Sequence, residues 1–173
     1  LDAIKDVGDS AKMEAALSEH KDLNLKVLIN NVGGIVRGKP SLTKFTEQTP
    51  ELIDGWIDIN LRFATQFTRQ VLPKLIVNQP ALIINIGSSA SDVPSPWMSI
   101  YSGAKAFNKS WSRSLAVELL DEGHDIDYHA IIVGPTATSR LAMPVSMTCP
   151  TTRKMARASL GYAGTGVREV AAY

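Results

Sequence analysis

The chain has 173 residues, 45% of them hydrophobic and 20% charged, with a formal net charge of +1; this is ordinary for one soluble globular domain and gives no electrostatic basis for binding nucleic acid or an acidic membrane. Cys149 is the only cysteine, which leaves no internal disulfide or cysteine-rich metal site, and His20, His124 and His129 lack metal-ligand spacing. No apolar run approaches the ~20 residues that span a bilayer, and the opening LDAIKDVGDSAK lacks the basic-then-apolar pattern of a signal peptide, so a soluble, intracellular segment without membrane contact is expected.

Asp9 or Ser10 can cap a helix through AKMEAALSEH, with Met13, Ala16 and Leu17 on one face. Val27-Leu28-Ile29 reads as a buried strand that ends in Asn30-Asn31-Val32-Gly33-Gly34, where paired glycines suit a turn with close backbone approach. Thr49-Pro50 suits an N-cap and first helical residue. A long helix should follow through Leu52, Trp56, Phe67 and Leu75, weakened at Gly55 and Pro73.

Ala81–Ile86 is a second apolar strand, left by the turn Gly87-Ser88-Ser89. A proline-containing loop over 91–99 leads to a second long helix, from about Ile100 to Glu122, stopped by Gly123. Asp127–Val133 supplies a third strand, and the tail holds one helix, Thr151–Leu160, before a glycine-rich end. Arg153, Lys154 and Arg157 read as a solvated helix face or, functionally, as a contact to a phosphate-bearing substrate or cofactor. Apolar strands separated by long helices indicate an α/β fold with a parallel sheet covered on both faces.

The chemistry concentrates between Ser88 and Lys105. Tyr101 stands one helical turn before Lys105, so the two share a face. A phenol is a poor acid at neutral pH, and a neighbouring ammonium favours its phenolate and so its proton exchange. Ser88, at the end of a strand, can hold the oxygen that gains or loses that proton. In open α/β sheets ligands bind beyond the carboxyl ends of strands, where both Ser88 and Asn30 fall. Asn60 lies amid Ile57, Ile59 and Leu61; it either faces solvent or has a buried task such as holding a relay water. Asn31 and Gly33 either bring backbone to a cofactor or merely end a strand.

Taken in order, Asn-Asn-Val-Gly (30–33), Asn60, Ser88, Tyr101 and Lys105 resemble the short-chain dehydrogenase/reductase family over nearly the whole chain. The run Ile-Tyr-Ser-Gly-Ala-Lys-Ala-Phe and the tail TTRKMARASL are most similar to the branch of very-long-chain 3-oxoacyl-CoA reductases and 17β-hydroxysteroid dehydrogenase type 12. The resemblance implies a Rossmann-like doubly wound parallel sheet and reduction of a ketone (a 3-oxoacyl thioester, a steroid, or a related lipid or polyketide) to a secondary alcohol. Tyr101 would be the general acid and Lys105 would lower its pKa and bind the nicotinamide ribose. Ser88 would polarise the carbonyl and Asn60 would hold the relay water.

By the same resemblance, Asp2, Asn31, Gly33, Tyr101, Lys105, Pro135, Thr136 and Thr138 would contact the cofactor, NADP(H) rather than NAD(H), with no metal. The family's Pro-Gly after the third strand is inverted here to Gly134-Pro135. The resemblance also implies a homo-oligomer built on the two long helices, and an endoplasmic reticulum membrane location for a longer parent.

The family's Thr-Gly-x-x-x-Gly-x-Gly turn, whose helix N-terminus takes the pyrophosphate, does not occur in this sequence. The chain is therefore expected to be one partial domain, with a cofactor and catalytic core over 1–138 and a substrate-side segment over 139–173. Its sheet would lack the first strands and leave the strand at Lys26–Asn30 as an apolar edge. The competing expectation is a catalytically incompetent remnant that serves as a self-association or interaction module.

Overall fold

The computed structural model describes residues 9–20, 22–34, 42–93, 95–139 and 142–172. Helix α1 (Ser10–Ser18) begins where Asp9 Oδ1 accepts from the N–H groups of Ala11 and Lys12 at 3.1 and 3.2 Å. Strand β1 (Val27–Asn30) follows, and then α2 (Pro50–Ile57), capped by the Thr49 hydroxyl with Pro50 in its first turn. The long helix expected here is one rod interrupted by a π-helical turn, Asp58–Arg62, before it continues as α3 (Phe63–Val77). Strand β2 (Ala81–Ile86), helix α4 (Ser99–Asp121) and strand β3 (Ile126–Ile132) complete the central unit. Helix α5 (Thr152–Leu160) then leads to β4 (Glu169–Ala171).

The four strands are all parallel, in the order β1-β2-β3-β4. Sequential strands can lie parallel only if a helix returns the chain across the sheet, and α2–α3 and α4 do so on one face. Leu28, Ile83 and Tyr128 from the strands pack there against Val71, Leu75, Ala116 and Leu119. The other face buries Ile84, Ile131 and Val170 beneath Met155 of α5.

A strand, β4, stands where the sequence predicts only a glycine-rich tail. It pairs with β3 through Ala130–Glu169, Ile131–Val170 and Ile132–Ala171. Buried His129 helps hold the intervening segment, its Nδ1 against Val167 O and its Nε2 2.8 Å from Asp127 Oδ2, which also accepts from the Gly164 N–H. Nor is the sheet covered on both faces throughout. Among the described residues β1 is the edge strand, in line with the apolar edge expected at Lys26–Asn30, and Val27 and Ile29 are each 48% exposed there.

Candidate active site

The carboxyl ends of β1 and β2 carry opposed asparagines, Asn30 and Asn85. Both are buried, and a polar side chain in such a place must find partners. Asn30 Nδ2 donates to Thr68 Oγ1 at 2.8 Å and to Asn85 Oδ1 at 2.6 Å. Asn85 Nδ2 in turn donates to Ser112 Oγ and Tyr128 Oη. Burial pushes the Tyr128 phenol far up, so it stays neutral. Asn30 thus locks strands to helices.

Beyond β1 the chain turns through Gly33 and Gly34, where Asn60 meets it. The Asn60 side chain is 1% exposed, which settles the choice between solvent and a buried task. Its Oδ1 accepts from Gly34 N at 2.7 Å, while its Nδ2 donates to Gly34 O at 2.9 Å and to Trp56 O at 3.1 Å. Both amide hydrogens are spent on protein, so Asn60 acts as a clamp on this turn. Gly34 has φ +109°, a left-handed value that disfavours any side chain. At Gly33 a Cβ would lie 3.2 Å from Asn60 Oδ1 and 3.3 Å from Lys105 Nζ, so glycine is what lets the turn, the amide and the ammonium converge.

Lys105 reaches this point from the first half of α4. It is 6% exposed, and Nζ donates to Ile86 O at the end of β2 at 3.1 Å. Burial brings its pKa down from 10.5 to about 8, because desolvation penalises the charged form. Nζ lies 5.9 Å from the centroid of the Tyr101 ring, which also meets Trp56 edge-on at 5.7 Å. The Tyr101–Lys105 pairing read from spacing is therefore one half-buried cluster with Asn60 and Gly33.

Ser88 opens a short 3-10 turn, Ser89–Ser91, that packs on α4. Its Oγ accepts from Ala90 N at 3.2 Å, and its carbonyl receives Ser91 Oγ at 2.7 Å. An ion network ties this turn to α4. Lys109 Nζ contacts both carboxylate oxygens of Asp92, at 2.9 and 3.0 Å, and Glu169 of β4 at 3.2 Å. Nothing in the sequence marked that network, since its charges lie 17 and 60 positions apart. Trp97, four residues before Tyr101, has φ 62°, a rare and costly conformation for a bulky residue.

Asn31, Thr136 and Thr138 line a groove of about 510 Å³ between the ends of β1 to β3 and α5, with Ile86 and Met155 among its apolar walls. Pro135 is exposed and does not line it. Asp2 lies outside the described residues. Two arrangements thus adjoin at the strand ends: a polar cluster around Lys105, and a mostly apolar groove reached by Asn31 and two threonine hydroxyls. The first sets the Tyr101 ring beside a buried ammonium, a pair of groups of the kind that can exchange a proton. The second can take a flat, partly apolar group.

A family model described as short chain dehydrogenase matches residues 3–148. A very-long-chain 3-oxoacyl-CoA reductase of Neurospora crassa is 31% identical over 169 residues, which are 98% of this chain and 49% of that protein. The chain spans about half the length of the curated relatives it matches. Among solved structures, a short-chain dehydrogenase from Sphingobium yanoikuyae in complex with NADPH superposes with a TM-score of 0.77 at 28% identity, over 94% of this chain and 62% of that one. A bulky-bulky ketone specific alcohol dehydrogenase from Comamonas testosteroni gives 0.75 at 26% identity, over 95% and 60%.

Proposed function

The chain belongs to the short-chain dehydrogenase family, and on that premise we propose that it is the catalytic portion of a reductase that converts a ketone to a secondary alcohol with NADPH. Lys105 supports this reading most, being buried, anchored on Ile86 O and one turn beyond Tyr101. Tyr101 Oη gives its proton to the carbonyl oxygen as that oxygen gains negative charge. The Lys105 ammonium stabilises the phenolate left behind, and the Ser88 hydroxyl donates to the same carbonyl oxygen. A lysine with a pKa near 8 is still mostly protonated at neutral pH, as this task requires.

The residues present fit the nicotinamide end of such a cofactor. Lys105 Nζ has three N–H donors, and Ile86 O takes one of them. Gly33 leaves the space that a side chain would fill, and Asn31, Thr136 and Thr138 border the adjoining groove. When bound, the cofactor supplies the hydride that reduces the carbonyl carbon. NADPH is preferred over NADH because the Sphingobium relative holds it. A 3-oxoacyl thioester is the preferred substrate because the named relatives are 3-oxoacyl-CoA reductases, and a bulky ketone such as a steroid comes next. Residues 1–138 would form the catalytic core and 139–173 the substrate side.

Replacing Tyr101 by Phe should cut reduction by about 10²–10⁴-fold, the usual worth of a positioned acid, and leave NADPH affinity within about twofold. Near-normal turnover would remove Tyr101 from its role. A second reading draws on the exposed β1 edge, where Val27 and Ile29 stand open: a remnant that associates through that edge or the two long helices. NADPH titration read by the fluorescence of Trp56, Trp97 and Trp111 separates the two. Saturable binding supports the reductase; concentration-dependent association without binding supports the remnant.

A further inference from the structure

We propose that Asn108 is a positioning residue, which acts through Asn60 to hold the Gly33–Gly34 turn against Lys105. This rests on the reading of that cluster as the cofactor end of a reductase site. Asp58–Arg62 forms a π-helical turn between α2 and α3. A π-turn breaks the regular ladder of α-helical bonds and leaves a carbonyl to be satisfied from outside. Asn60 lies in the middle of this one, and its main-chain carbonyl receives Asn108 Nδ2 at 2.6 Å.

That donor comes from α4, three residues past Lys105 and on the same helix face. Asn108 is 7% exposed, and its Oδ1 is buried with no hydrogen-bond partner among the described residues. The opposite amide orientation would set Oδ1 against the Asn60 carbonyl, two acceptors in contact, so the donor assignment is fixed by its partner. The residue thus leaves one buried acceptor unsatisfied in order to make a single short bond, an arrangement that costs stability. Leucine would fill the same space without that cost.

The short bond gives α4 two holds on the site. Lys105 brings the ammonium to Gly33, and Asn108 fixes the backbone of Asn60, whose side chain grips both N–H and C=O of Gly34. Ser112 Oγ donates to the Asn108 carbonyl at 2.6 Å and accepts from Asn85 at 2.8 Å, which joins this hold to the buried asparagines of the sheet. Turn and ammonium are therefore set by one helix, and the separation between them is that helix's to control. With Lys105 read as a cofactor contact and Gly33 beside its Nζ, the effect should fall on cofactor binding more than on the chemical step.

The test is amide hydrogen exchange together with NADPH titration on the full chain, comparing wild type with Asn108→Leu and the isosteric Asn108→Asp, which replaces the donor by an acceptor. The expected signature is Gly34 N–H exchange about tenfold faster, the factor that corresponds to one lost hydrogen bond, with the core amides of Ile83 and Ile131 within about twofold of wild type. NADPH affinity should fall about tenfold, and turnover at saturating NADPH should hold within about twofold. A merely structural role would speed Gly34, Ile83 and Ile131 alike; that result, or an unchanged Gly34, overturns the proposal. Should Leu prevent folding, the Asp variant, equal in volume, gives the answer. Exchange needs no catalysis, so normal turnover by Tyr101→Phe would defeat the catalytic reading and leave the Gly34 result intact.

Discussion

Lys105 is a buried ammonium whose charge costs stability. Its pKa is lowered by burial to about 8, so between about pH 8 and 10.5 the folded protein binds fewer protons than the unfolded chain. Stability contributed by this position therefore rises with pH across that window, and below it the buried charge costs up to about 3 kcal/mol. In urea melts, the stability of wild type relative to Lys105→Met should improve by up to about 3 kcal/mol from pH 7 to pH 10.5; a flat difference would mean that the ammonium is better solvated than its burial implies. Gly33→Ala tests the neighbouring contact. A Cβ at 3.2 and 3.3 Å from Asn60 Oδ1 and Lys105 Nζ should weaken NADPH binding about tenfold and cost about 1 kcal/mol or less of stability, both read from one set of titrations and melts. The Tyr101–Lys105 pair was legible because helical spacing alone puts the two on one face. Asn60 was ambiguous because its partner, Gly34, is 26 positions away, and the same distance problem hid Asn108, whose partner is 48 positions away.

The elements place these residues through unequal attachments. Helix α4 carries Tyr101, Lys105, Asn108 and Lys109 in two and a half turns, so its position governs most of the site. The Ser88 turn packs on α4 and is also tethered to it by charge. Its tether, Lys109 to Asp92, is exposed on the Asp92 side, so salt should weaken it. The Lys109 ammonium holds the Asp92 carboxyl below its usual 3.8. That contribution is therefore complete above pH 3.8 and disappears as the pH falls below it. The Lys109 ammonium is raised above 10.5, so its share persists until the pH climbs past that value. Lys109→Met should increase proteolytic cleavage within 91–99 several-fold and Lys109→Arg should not; equal cleavage of both variants and wild type would show that the turn is held by packing alone. At this scale the sequence exposed the strongly patterned pieces: caps at Asp9 and Thr49, three apolar strands and two long helices. It hid β4, because Glu169-Val170-Ala171 is too short for any period and exists only by pairing with β3. It hid the π-turn as well, since Asp58–Arg62 keeps the apolar periodicity of the helix around it.

Across the whole molecule, the sheet is well packed from β2 to β4 and open at β1. The apolar run Val27–Ile29 suggested burial on both faces, but alternate side chains of a strand face opposite ways, and only the Leu28 side meets α3 and α4. Among the described residues no strand pairs with the outer edge of β1, where Val27 and Ile29 are exposed, and an apolar edge of this kind favours association at high concentration. Ile29→Lys should shift sedimentation of the chain toward monomer and leave its far-ultraviolet circular dichroism unchanged; undiminished association would move the contact to the long helices. NADPH consumption with a 3-oxoacyl-CoA, compared between wild type and Tyr101→Phe, asks whether the cluster around Lys105 performs acid-assisted ketone reduction. Wild type should consume NADPH, and the variant should lose about 10²–10⁴-fold of that rate with NADPH still bound. No consumption by wild type, or equal consumption by both, would contradict it.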